Sequence, residues 1–177
     1  MTNDDWRPGY KILTNNSGVL LSWNCGTGNV SNGDNLCDTP EKALQSPLVV
    51  RYDVGFITKP KTNCGPLQAF RTVRDVVMFM EAHNNVFYGF FGAKISCVAK
   101  CEYLFSPERE LWVDIPRTQP ISVAWGVTCS AIRLVEEPLS IEEFGLVNNL
   151  VKMGNRNNWF WAMSSDENKE DLLKNVQ

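Results

Sequence analysis

The stretch Ala93-Lys-Ile-Ser-Cys-Val-Ala-Lys-Cys-Glu-Tyr-Leu-Phe105 is the longest alternating segment in the chain. Ile95, Cys97, Ala99 and Cys101 fall on one side and Lys94, Ser96, Lys100 and Glu102 on the other, which is the two-residue period of a strand with one buried face. A strand of this length needs partners, and the neighbouring sequence supplies them. Residues 86–91, 111–113, 121–125 and 127–135 are short β-prone runs, so the middle of the chain reads as mostly antiparallel sheet.

Working outward, residues 10–13 and 19–23 are two β-prone runs separated by Asn15-Asn-Ser-Gly18, the composition of a hairpin. Residues 24–47 are rich in Asn, Gly, Asp, Ser and Pro and read as a long surface loop, with a tight turn at Asn32-Gly33. Residues 48–52 have strand character and end at Gly55, and residues 56–67, with Pro60, Gly65 and Pro66, read as a connection. Thr72-Val-Arg-Asp75 resembles a capping box with Asp in place of Glu, and Val73, Val76, Val77 and Met80 recur at helical spacing, with Phe79 widening the stripe. That helix should stop near Asn84-Asn85.

From Pro138 the pattern changes. Ser140-Ile-Glu-Glu143 is a capping box, and Ile141, Phe144, Val147, Leu150 and Val151 predict a helix to about Met153. A polar-aromatic loop is expected over 154–161 and an acidic helix from Ser165. The expected fold is α+β: a single domain with a curved, mainly antiparallel sheet, one central helix, and C-terminal helices packed beside it. Residues 1–137 form the scaffold in this reading and 138–177 a helical extension on the same domain.

Composition narrows the function. The 177 residues are 44% apolar and 21% charged with a net charge of −3, which describes a globular chain with no basic field for nucleic acid. Nothing approaches the ~18 consecutive apolar residues of a membrane helix, and the N-terminus has no leader pattern, so a cytoplasmic or virion protein that is not secreted is expected. The six cysteines are then expected as thiols, and the sequons at Asn15 and Asn29 carry no sugar. A single histidine, His83, leaves little for acid–base or metal chemistry, and its place at a helix C-terminus favours a dipole role.

Several clusters invite a functional reading beside a structural one. Cys97 and Cys101 share a strand face, where two thiolates could share a metal, yet the second thiol pair of a zinc site is missing and core packing is the simpler reading. Gly26-Thr-Gly28 lacks the third glycine and following helix of a phosphate loop. The aromatic run 87–91 offers stacking platforms with little basic charge around it. Arg51, Arg71 and Arg74 suit an anion site, with Tyr52 or Trp125 to stack on a base; surface salt bridging with Asp53 or Asp75 is the alternative. Trp159, Phe160 and Trp161 beside Met153 are a candidate partner surface, or a cap on the core.

Tyr10-Lys11, Gly18, Ser22, Val50-Arg-Tyr-Asp-Val-Gly55, Gly65-Pro-Leu67, Ala69-Phe-Arg-Thr72, Asp75, Phe79, Ile95-x-Cys97 and the segment from Gly126 to Leu134 together form a pattern over residues 10–136. It resembles a group of small α+β proteins of phages, large DNA viruses and their microbial hosts, which share a Tyr-x-Val-Gly turn, a Phe-x-Thr helix entry and a late Gly-Thr-x-x-x-Ala strand. The resemblance implies an α+β scaffold and carries over no catalytic residue. The expected function is therefore non-enzymatic binding or structure, as a viral or phage accessory or virion component working through protein contacts or self-association, without cofactor or metal. The alternative is a nucleotide-binding protein or nucleotide-processing enzyme, an anti-defence sponge or ADP-ribosyltransferase-like protein, using the arginine-lined site.

Overall fold

The alternating segment is the central member of a curled sheet. A computed structural model describes residues 5–23, 39–46, 49–62, 64–82, 96–112, 120–122, 125–155 and 158–163. In chain order these form β1 (Arg7–Asn16), β2 (Val19–Ser22), α1 (Pro40–Gln45), β3 (Arg51–Tyr52), β4 (Ile57–Thr58), β5 (Leu67–Ala69), α2 (Val73–Ala82), β6 (Ser96–Phe105), β7 (Glu110–Trp112), β8 (Pro120–Ser122), β9 (Val127–Leu134), β10 (Leu139–Ser140), α3 (Ile141–Val147), β11 (Leu150–Asn155) and β12 (Asn158–Met163).

Eight strands make one antiparallel sheet in the order β3-β2-β1-β6-β9-β4, with β10 also on β6 and β5 also on β9. The curl follows from how β9 is covered. One edge of β9 pairs with β6, while the other takes β5 opposite residues 127–129 and then β4 opposite Arg133 and Ile132. Just past β5, Phe70 exchanges two backbone hydrogen bonds with Tyr10 of β1, at 2.8 and 2.9 Å. At this narrow end β1, β6, β9 and β5 therefore form a ring of four. Gly9 permits that closure, because a Cβ there would stand 2.6 Å from the Phe70 carbonyl oxygen and 2.9 Å from the Tyr103 ring.

At the wide end the ring passes through six strands, and β3 and β4, the two ends of the sheet order, are joined by the turn at residues 53–56. Gly55 (φ 81°) supplies its left-handed position, and Phe56 N–H donates to the Asp53 carbonyl at 3.2 Å. No ladder links β3 to β4 among the described residues, so the barrel is nearly closed, with a seam there.

Two apolar layers result. Leu13, Tyr52, Leu67, Ala69, Cys97, Ala99, Cys101, Tyr103, Cys129, Ile132 and Leu134 fill the interior. Ile12, Phe70 and Val98 project outward beneath Val76, Phe79 and Met80 of α2 and Ile141 and Phe144 of α3. Strands β1 and β6 are thus buried on both faces where helices cover them. This explains Val98, which lies among the polar positions of the alternating segment and is only 2% exposed.

The expected α+β character, the antiparallel sheet and its curvature hold. The first hairpin turns more tightly than expected: Ser17 (φ 55°) and Gly18 (φ 86°) form a two-residue loop of the kind that matches strand twist. The Thr72 box is reciprocal, Thr72 N–H donating to Asp75 Oδ2 at 3.0 Å and Asp75 N–H to Thr72 Oγ1 at 3.1 Å. The Ser140–Glu143 box forms too, and hydrogen bonds from Ser140 hold the Glu143 carboxyl below its usual range.

Other expectations need correction. Residues 24–47 contain helix α1, started by Thr39 and Pro40, whose last carbonyls at Leu44 and Ser46 accept from Lys61 Nζ. The connection 56–67 contains β4 and the start of β5. The helix from Ser140 ends at Val147, because Asn149 takes a left-handed backbone (φ 52°), and a β-hairpin replaces its predicted last turns and the loop after it. Among the described residues the expected extension holds a short helix and a hairpin, with β10 pairing to β6 of the scaffold. His83, residues 86–91 with their aromatic run, the glycines near 26, the Asn32-Gly33 turn and the acidic helix from Ser165 lie outside the described residues.

Candidate functional site

The interior of the barrel holds an unexpected group. Lys11 lies on β1 between the outward Tyr10 and Ile12, so the strand's alternation turns it inward, where it is 2% exposed. Its Nζ donates to the Gln68 carbonyl oxygen at 2.7 Å and stands 5.4 Å from the centre of the Tyr52 ring. Among the described residues it is the one buried charged side chain, and no carboxylate pairs with it. Burial lowers its pKa to about 8, against a smaller opposing effect of nearby Cys129 and Cys101. Burial also pushes the thiols of Cys97, Cys101 and Cys129 up to about 12 and raises the Tyr52 hydroxyl, whose oxygen is buried without a hydrogen-bond partner among the described residues.

Cys97 and Cys101 are buried in the interior layer beside Leu13, Ala99 and Leu134, where they pack as small apolar side chains. The amine is sealed away from solvent. Such an interior holds an amine, thiols and a phenol, each buried away from solvent.

The predicted anion-site residues are dispersed. Arg51 is on the outer face of β3 and pairs with Asp53 at 2.8 Å, while Tyr52, next in sequence, points into the barrel. Arg71 and Arg74 flank the start of α2, both exposed and without an ion pair among the described residues. Leu20, which faces Tyr52, stands opposite Asn15 of β1, whereas the chain before Arg71 meets β1 at Tyr10. Five residues of strand separate those levels by roughly 16 Å. Trp125 and Arg71 each lie two residues beyond the Ala69–Val127 end of the β5–β9 ladder, Trp125 before β9 and Arg71 after β5. Trp125 is 41% exposed and has a left-handed backbone (φ 59°), which is uncommon for a bulky residue.

The predicted aromatic surface lies on a ladder, with Met153 opposite Phe160, Gly154 opposite Trp159 and Lys152 opposite Trp161.

The sequence reading missed the rim of the wide end. Phe56 is 71% exposed, Ile57 53% and Val135 48%. They are neighbours by register: Ile57 faces Arg133, and Gly55 N–H donates to the Leu134 carbonyl at 2.9 Å, which brings Val135 beside the turn that carries Phe56. The charges around this apolar group are drawn away from it. Arg133 bonds to Glu102 and stacks on the Trp6 ring at 5.1 Å, Lys100 pairs with Glu136, and Arg51 with Asp53. The available signal was Phe56-Ile57 directly after a glycine turn, inside a segment read as a polar connection.

No protein-family model matches the chain, and no curated protein or solved structure matches it either.

Proposed function

We propose that this protein works by binding another protein across the wide rim of its barrel. The observation that carries this reading is the exposure of Phe56, Ile57 and Val135 together at the seam. Clustered exposed apolar side chains at one place on a folded surface, with charged side chains around them, have the composition of an interface core and its polar margin. Its role in this reading is that of an accessory or virion component of a phage or large DNA virus, as the sequence resemblance implies. The test is a photo-crosslinking residue placed at Ile57, with the exposed Ser130 of β9 as control, in cells making the protein. Crosslinks to protein from position 57 and few from 130 are expected; equal yields at both positions, or none at 57, refute the reading.

A second reading is favoured by Trp125 and Arg71 both lying just past the Ala69–Val127 end of the β5–β9 ladder, with Arg74 three residues on: the guanidinium groups hold a nucleotide's phosphate and the indole stacks on its base. Asp75, already bonded to the Thr72 amide, competes for the same helix end. A ligand at 100 times its dissociation constant adds ~2.7 kcal/mol to stability. A thermal-shift screen over nucleotides, cyclic dinucleotides and NAD detects this, and a flat screen removes the reading.

A further inference from the structure

The apolar rim is bounded by two charges that differ from the others around it. Lys59 and Glu137 are both exposed, and neither makes an ion pair or side-chain hydrogen bond among the described residues. They lie at opposite ends of the apolar group. The β4–β9 register runs from Ile57 opposite Arg133 to Thr58 opposite Ile132, so Lys59 lies beyond it in one direction, while Glu137 follows Val135 in the other. The order along the rim is therefore an unpaired cation, the apolar trio, and an unpaired anion.

A surface with that order is complementary to itself. Turned by a twofold rotation about the apolar trio, it brings the cation of one copy to the anion of the other, twice, and lays apolar surface on apolar surface. Arg133, which stands between Ile57 and Val135 and would repeat its charge against itself at such an axis, is held aside by Glu102 and Trp6.

We infer that the occupant of the rim is a second copy of this chain, in a twofold dimer that sets Phe56, Ile57 and Val135 against their equivalents and Lys59 of each copy against Glu137 of the other. The inference rests on the protein-contact reading above and names its partner. The side chains at the contact are exposed in the single copy, so substituting them leaves the barrel interior untouched.

Sedimentation velocity of the full chain over a concentration series tests it. The wild type is expected to pass from monomer to dimer, and Phe56→Asp to raise the dissociation constant at least about tenfold, as loss of a central aromatic contact does. Lys59→Glu and Glu137→Lys each set like charges across the axis and weaken the dimer, and the double variant, which restores opposite charges, returns its dissociation constant to near the wild-type value. A wild type that sediments as a monomer at every concentration overturns the inference, as does a double variant no tighter than the weaker single one. If the wild type stays monomeric while position 57 crosslinks to other proteins, the twofold dimer falls and the protein-contact reading stands; if neither is seen, both fall.

Discussion

Replacing Lys11 by Met removes a buried ammonium and keeps nearly its volume. The size of the effect follows from the displaced proton equilibrium: Lys11 is lowered from the ordinary 10.5 to about 8 by burial. Each tenfold difference in proton affinity is worth about 1.4 kcal/mol, so keeping the charged form inside the barrel costs about 3 kcal/mol. Against this, the variant loses the bond to the Gln68 carbonyl, worth about 1–3 kcal/mol if that oxygen finds no other donor. At pH 7 the Lys11→Met protein should therefore equal the wild type or exceed it by up to about 2 kcal/mol.

The pH dependence is more diagnostic. Between pH 8 and 10.5 the folded wild type has shed the Lys11 proton and the unfolded chain still holds it, so the unfolded state binds more protons and wild-type stability rises with pH. Above pH 9 the three thiols act in the opposite sense, because the unfolded chain loses their protons first and the folded chain keeps them until about 12. The thiol contribution is common to both proteins and cancels in their difference. Urea unfolding followed by tryptophan fluorescence at pH 7 and 10 should show the wild type gaining about 2–3 kcal/mol relative to Lys11→Met. A difference that does not change with pH, or a variant that loses more than about 3 kcal/mol at pH 7, refutes the reasoning.

Gly9→Ala should cost about 1–3 kcal/mol, since the added methyl meets the Phe70 carbonyl and the Tyr103 ring where the narrow end closes; hydrogen exchange should show the Tyr10 and Phe70 amides losing protection first. Tyr52→Phe deletes a buried hydroxyl that has no partner among the described residues, so its urea midpoint should stay level or rise. Thr72→Ala breaks the reciprocal cap of α2 and should lower stability by about 1 kcal/mol in the same assay.

What the sequence revealed and what it hid divide along physical lines. Caps are local: Thr72 with Asp75 and Ser140 with Glu143 need only three residues of context, and both were legible. So was the alternation of Cys97, Ala99 and Cys101. Val98 and Lys11 were not, because their burial depends on which distant elements cover a strand's second face, here α2 and α3 over Val98 and β3 and β5 around Lys11. The helical spacing of Val147, Leu150 and Val151 was a coincidence of period, since Leu150 opens β11 after the left-handed Asn149 and is buried among residues of α2 and α3, while Val147 is exposed. The candidate rim joins Phe56 to Val135 across 79 positions of sequence, and no spacing rule links residues so far apart. The anion site showed the converse: neighbouring strand residues Arg51 and Tyr52 were read together, and the pleat sends them to opposite faces.

The closing of the narrow end sets an order on the birth of the molecule. Its ring needs β1 and β9 together with β6 and β5, and these are spread from Arg7 to Leu134. At roughly 5–20 residues per second, a ribosome releases β9 about 6–24 s after β1. Within that interval β5 and β6 emerge and can flank β1, but the ring of four stays open until β9 joins them. A chain built this way matures late in its own synthesis, and any premature stop before Val127 yields an open, adhesive sheet instead of a shorter barrel.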